Sequence, residues 1–177
     1  WELWRSDGTY DGTQVVLDYQ YPDLPNARPS LSPSNLTNVN GVLFFAARTV
    51  NGFELWKSNG SAAGTVQVKD IQPGPDSTMD FPRFFAAGGT LYFTGRTNEF
   101  GSELWRSDGT GPGTEMVADL EPGENSSLYA EFPAFSVNEV LFFTVGSGVS
   151  RGLWRLKGAD AQVSDAGVPP GTPRRVH

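Results

Sequence analysis

Three aspartates, Asp18, Asp70 and Asp119, each stand 14 residues after a tryptophan, and two arginines, Arg48 and Arg96, recur just beyond apolar runs. Carboxylates and guanidiniums repeated in phase could ring a central pocket and bind a polar ligand there. Glu121 and Tyr129, in the segment that follows Asp119, complete this set of ligand-binding candidates. The same residues also suit a plainer role, because an Asp leaving a strand caps the loop it begins and exposed charges pair at a surface. Asp7, Asp11 and Asp108 could offer oxygens to calcium, making it a possible cofactor and these three the weak metal candidates. Calcium needs six to eight oxygens, however, and the stretch from Ser6 to Thr13 supplies only two acids, four positions apart, which turn chemistry also explains. Any two of the 20 carboxylates could be the acid and base of a glycosidase at ~5–10 Å separation, yet the spacing singles out no pair and no catalytic residue is assigned.

Composition narrows the chemistry further. The 177 residues hold 20 Asp and Glu, 13 Lys and Arg, no Cys and a single His, His177. A net charge of −7 argues against nucleic acid as a partner, since phosphates need a basic face. A His-based triad, a multi-His zinc site, a thiolate nucleophile and Cys-ligated metals are all excluded within this chain. No apolar run reaches the ~18 residues of a spanning helix, so membrane insertion is not expected.

The elements that must position these residues are set by an internal repeat. Glu2-Leu3-Trp4-Arg5-Ser6-Asp7-Gly8-Thr9 returns at residues 54–61 and 103–110, and in worn form at 152–159, with tryptophans 52, 49 and 49 apart. Gly12-Thr13, Gly64-Thr65 and Gly113-Thr114 keep step, as do Pro33, Pro82 and Pro133 and the runs Leu43-Phe44-Phe45, Leu91-Tyr92-Phe93 and Leu141-Phe142-Phe143. Each unit reads as four short strands bounded by Gly, Asn, Asp or Pro, with no helical period of useful length. Asp7-Gly8, Asn59-Gly60 and Asp108-Gly109 are read as tight hairpin turns that need positive φ. Consecutive rather than alternating apolar residues imply sheets covered on both faces. Trp4, Trp56, Trp105 and Trp154, with Phe44, Tyr92 and Phe142, are therefore expected in the core; stacking of the tryptophans on sugars is the alternative.

The expected fold is all-β, a β-propeller-type repeat of four-stranded antiparallel blades; a stacked β-solenoid is the runner-up. Its units are a half blade at about 1–20, then blades at about 31–70, 81–119 and 132–165, forming one repeat domain over 1–165 with a Pro/Gly tail at 166–177. Three and a half blades fall short of the ~4–8 of a closed propeller. That count implies part of a longer chain or a multi-chain assembly, with open apolar faces around Trp4 and Trp154.

The repeated octapeptide resembles the ELW-x-x-DGT repeat family of bacterial extracellular proteins, fully at residues 2–9 and 103–110 and nearly so at 54–61. The resemblance implies secretion or a cell-surface location and carries no catalytic residue or ligand with it. The function expected is a non-enzymatic interaction or structural module presenting the loops at 18–32, 70–81, 94–102, 119–132 and 145–151 to a glycan or protein. The alternative is a fragment of a carbohydrate-active propeller enzyme, a glycosidase or lyase.

Overall fold

The computed structural model describes residues 1–19, 31–49, 52–74, 83–120, 124, 128, 134–145, 152–157 and 164–165. Among them every regular element is a strand. Leu3–Arg5 (β1) and Gln14–Leu17 (β2) form a two-stranded antiparallel sheet. Ser34–Val39 (β3), Val42–Thr49 (β4), Gly52–Ser58 (β5) and Val66–Lys69 (β6) form a second. Phe84–Ala87 (β7), Thr90–Thr97 (β8), Gly101–Ser107 (β9) and Glu115–Ala118 (β10) form a third. Ala134–Val137 (β11), Val140–Val145 (β12), Gly152–Lys157 (β13) and Ser164–Asp165 (β14) form a fourth, and in every sheet the strands lie in chain order with antiparallel neighbours. Residues 94–97, read as loop from sequence, instead continue β8, where Thr94 to Thr97 pair with Leu104 to Gly101.

Gly8, Gly60 and Gly109 hold the expected positive φ (92°, 86° and 89°), but the tight two-residue turns lie elsewhere. They join the first two strands of each four-stranded sheet, at Asn40-Gly41 (φ 50° and 85°), Gly88-Gly89 (54° and 75°) and Asn138-Glu139 (48° and 65°). Two consecutive positive φ values match the right-handed twist of the flanking strands, and Asn and Gly tolerate them at least cost. The Asp-Gly pairs open longer connections, such as residues 59–65 between β5 and β6.

Successive sheets pack face to face, and alternation along each strand divides the apolar runs between two neighbours. In the second sheet Phe45, Ala47 and Trp56 pack with Leu3 and Val16 of the first, while Phe44, Ala46 and Leu55 pack with Leu91, Phe93 and Trp105 of the third. In the third sheet Tyr92 and Leu104 turn instead to Leu141, Phe143 and Leu156 of the fourth. The tryptophan of each repeat thus faces the preceding sheet and the adjacent leucine faces the following one. Side-chain cations bridge two of these junctions: Arg5 Nη1 donates to Gly60 O at 3.1 Å and Lys57 Nζ to Gly109 O at 2.7 Å, whereas Arg106 at the same repeat position pairs with Glu115 of its own sheet. Between sheets the backbones come closest along the first strands β3, β7 and β11.

This polarity corrects three core expectations. Trp56 and Trp105 are 6% and 8% exposed, but Trp4 is 60% exposed, because among the described residues no sheet packs against its face of the first sheet. Trp154 is half-buried against the cluster between the third and fourth sheets, so it does not border an open face. The opposite face of the fourth sheet, against which no other described sheet packs, carries Phe142, half-buried and stacked at 5.5 Å on Phe135, together with Leu153. Phe44 and Tyr92, the counterparts of Phe142, are buried.

Candidate functional site

The repeated polar residues fall into two groups, at opposite edges of the sheets. The first is the connection between the third and fourth strands. Asp108 Oδ1 accepts hydrogen bonds from Thr110 N (2.7 Å) and Thr110 Oγ1 (2.8 Å), Gly113 N donates to Thr110 Oγ1 (3.0 Å), and Thr114 Oγ1 donates to Thr110 O (2.7 Å). Ser107 Oγ lies 2.7 Å from Thr114 Oγ1 and accepts from Gly109 N. The same bonds recur with Ser6, Asp7, Thr9, Gly12 and Thr13, and with Ser58, Asn59, Ser61, Gly64 and Thr65. Each loop closes on itself through side chains, as Asx turns do. A Cβ at Gly113 would meet the Asp108 carboxyl and push it out of these bonds, so glycine suits this position.

This geometry decides the local electrostatics. The Thr110 hydroxyl, and then its amide, hold the Asp108 carboxyl below the usual carboxylate range, and Thr9 does the same for Asp7. One carboxylate oxygen of Asp7 and of Asp108 is already an acceptor in its loop, while Asp11 is exposed and its carbonyl accepts from Gln14 Nε2. Among the described residues no three of His, Cys, Asp and Glu gather as a metal would require.

The second group lies where the fourth strands end. Asp70 and Asp119 are half-buried, and Oδ1 of each is shielded from solvent with no hydrogen-bond partner among the described residues. Beside them stand two residues that the sequence analysis left without a role, Glu54 and Glu103, both 0% exposed. Glu54 Oε2 accepts from Ile71 N at 3.2 Å and Glu103 Oε2 from Leu120 N at 3.1 Å, so each carboxylate holds the backbone just after the repeated Asp. Glu2 accepts from Tyr19 in the same way. Burial pushes the Glu2 carboxyl upward, the N-terminal ammonium opposes this, and Asp18 adds to it, as expected where two acids approach. The signal available in the sequence was an acid held in phase inside an otherwise apolar strand.

Arg48 and Arg96 lie on this edge and are exposed. The Arg48 guanidinium sits 5.9 Å over the Phe53 ring, and its backbone N–H donates to Leu31 O at 2.7 Å. Gln72 Oε1 accepts from Asn98 N at 3.1 Å, linking the segment after Asp70 to the β8–β9 turn of the next sheet. Glu121 and Tyr129 lie outside the described residues, as do most of the segments on either side of them. The structure therefore sets Asp70 and Asp119 beside buried glutamates that anchor loops, with the two arginines on the outer surface of the same edge.

No family model matches the chain, and no curated protein does. No helix among the described residues is long and apolar enough to cross a membrane.

Proposed function

We propose that the chain is a non-enzymatic, extracellular interaction module of β-propeller type that presents the edge bearing Arg48 and Arg96 to a glycan or protein partner. The observation that carries this reading is the fate of the repeated polar residues. Asp7, Asn59 and Asp108 close loops, and Glu54 and Glu103 hold backbone amides. Recurrent acids engaged in this way stabilise a scaffold, and recognition on a rigid scaffold is left to loops and exposed side chains. The close approach of the first strands β3, β7 and β11 supports sheets arranged as blades about an axis. The in-phase octapeptide and its resemblance to secreted bacterial repeats support the location.

A glycan array followed by reducing-end assays on any bound polysaccharide tests the proposal. Binding without turnover, weakened at least tenfold by Arg48→Ala combined with Arg96→Ala, is the expected result. Hydrolysis or elimination abolished by one Asp or Glu substitution would instead make the chain part of a carbohydrate-active enzyme.

A further inference from the structure

The chain holds three Asn-Gly pairs, at 40–41, 51–52 and 59–60, and Asn51 lies outside the described residues. Such a pair can modify itself, because glycine leaves the backbone nitrogen after the Asn unhindered, and that nitrogen can attack the side-chain amide one residue back. Asn40 and Asn59 are both exposed, and in both pairs the attacking nitrogen is tied to an upstream side chain. Gly41 N donates to Asn38 Oδ1 at 2.8 Å and Gly60 N to Ser58 Oγ at 3.0 Å. The two pairs differ at the amide itself. Asn59 Oδ1 accepts from Ser61 N at 3.0 Å and from Ser61 Oγ at 2.7 Å, whereas no described residue donates to Asn40 Oδ1.

We propose that Asn59 is a self-modifying site, converted to aspartate within the folded loop. Attack forms the Gly60 N–Cγ bond and draws negative charge onto Oδ1, where the two Ser61 donors already point, as the donors of an oxyanion hole do. The Cγ–Nδ2 bond then breaks, Nδ2 leaves as ammonia with the proton that Gly60 N gives up through solvent, and a cyclic imide remains. Water opens the imide. Addition at Cγ gives aspartate at position 59, and addition at the backbone carbonyl gives isoaspartate, which lengthens the backbone by a methylene. The aspartate product suits the loop, because Asp7 and Asp108 accept the same two bonds from Thr9 and Thr110 in the equivalent loops. Those two acids do not react in the same way, since hydrogen bonding holds their carboxyls ionised and an ionised carboxylate is a poor electrophile. Conversion therefore adds one negative charge and makes the second loop chemically like the first and third. The inference is independent of any ligand at the arginine edge.

Peptide mapping by mass spectrometry, on the full chain held folded at mildly alkaline pH, follows both asparagines in one sample. Asn59 is expected to convert faster than Asn40. In urea, where the Ser61 contacts are lost, the two should convert at similar rates. An enzymatic oxyanion donor is worth about 10²–10³-fold in rate, and water around an exposed loop leaves less, so Ser61→Ala should slow conversion of Asn59 by roughly tenfold. Ser61→Thr restores the hydroxyl, as in the Thr9 and Thr110 loops, and should keep the wild-type rate. Circular dichroism checks that both variants fold, and the wild-type comparison of Asn59 with Asn40 stands without them. Conversion of Asn59 no faster than that of Asn40 in the folded chain overturns the proposal. So does a preference for Asn59 that survives in urea, or a folded Ser61→Ala variant that reacts as fast as wild type or faster, since the loop would then be shielding the amide rather than activating it.

Discussion

Replacing the same repeat residue at two positions separates burial from sequence identity. Trp105 is 8% exposed, lies 6.4 Å from the Phe93 ring at 31°, and is approached so closely by Gly95 that a Cβ there would sit 2.8 Å from its Cδ1. A buried Trp hides roughly 150–250 Å², worth about 4–6 kcal/mol at ~25 cal/mol per Å². Measured truncations of buried aromatics cost ~3–5 kcal/mol, so we expect about 4 kcal/mol for Trp105→Ala. Trp4 occupies the same motif position at 60% exposure, and Trp4→Ala should cost under ~1 kcal/mol. In a domain of this size each kcal/mol moves the melting midpoint by roughly 2–4 °C, so Trp105→Ala should lower it by ~8–16 °C and Trp4→Ala by no more than ~4 °C. Thermal and urea melts followed by far-UV circular dichroism, at a dilution where scattering gives the monomer mass, make the comparison. Equal losses at the two positions, or an unmoved midpoint for Trp105→Ala, would refute the packing argument and restore the tryptophans as candidate ligand platforms.

The loop chemistry predicts that Asp108→Ala costs about 1 kcal/mol in urea melts, whereas Asp108→Asn is close to neutral, because the Asn59 amide oxygen already accepts the equivalent bonds. The lowered Asp108 carboxyl stabilises the fold above its unfolded value of ~3.9, and this contribution fades as pH falls through the lower folded value. Wild type should therefore lose more stability than Asp108→Asn between roughly pH 5 and pH 2 in a pH series of melts, and parallel curves would contradict the assignment. Gly113→Ala should cost more than Asp108→Ala, since its Cβ displaces the carboxylate and breaks the whole loop; a smaller loss would show that the loop yields. Glu139→Gly should raise stability by ~0.5–1 kcal/mol, because Glu139 holds φ 65° in a turn suited to glycine, and a drop in the urea midpoint would argue against strain there.

Much of the secondary structure was legible in the order of residues. Short β-branched and aromatic runs between Gly, Asn and Asp specify strands locally, and near neighbours in sequence specify the antiparallel hairpins that join them. The turn types were less legible. Asp-Gly looks like a hairpin signal, yet the Thr two positions after each Asp and the Gly-Thr beyond draw it into a longer side-chain-closed loop, while Asn40-Gly41 and Gly88-Gly89 make the tight turns. The edge bearing Asp70 and Asp119 was only half legible, since the role of Glu54 and Glu103 depends on backbone amides 17 residues away.

Sequence alone determined which residues are equivalent, because the repeat sets Trp4, Trp56, Trp105 and Trp154 in register whatever surrounds them. It could not determine which of those equivalents are alike in environment. Strand alternation sends the tryptophan toward the preceding sheet and the leucine beside it toward the following one, so burial depends on whether that neighbour exists in space. The tertiary stacking decided that Trp105 is core while Trp4 is surface, and that Leu104 is core while Leu153 is surface, although all share the Leu-Trp-Arg centre of the repeat. Burial is a property of what lies across the interface, and a one-dimensional repeat carries no record of which faces meet a neighbour.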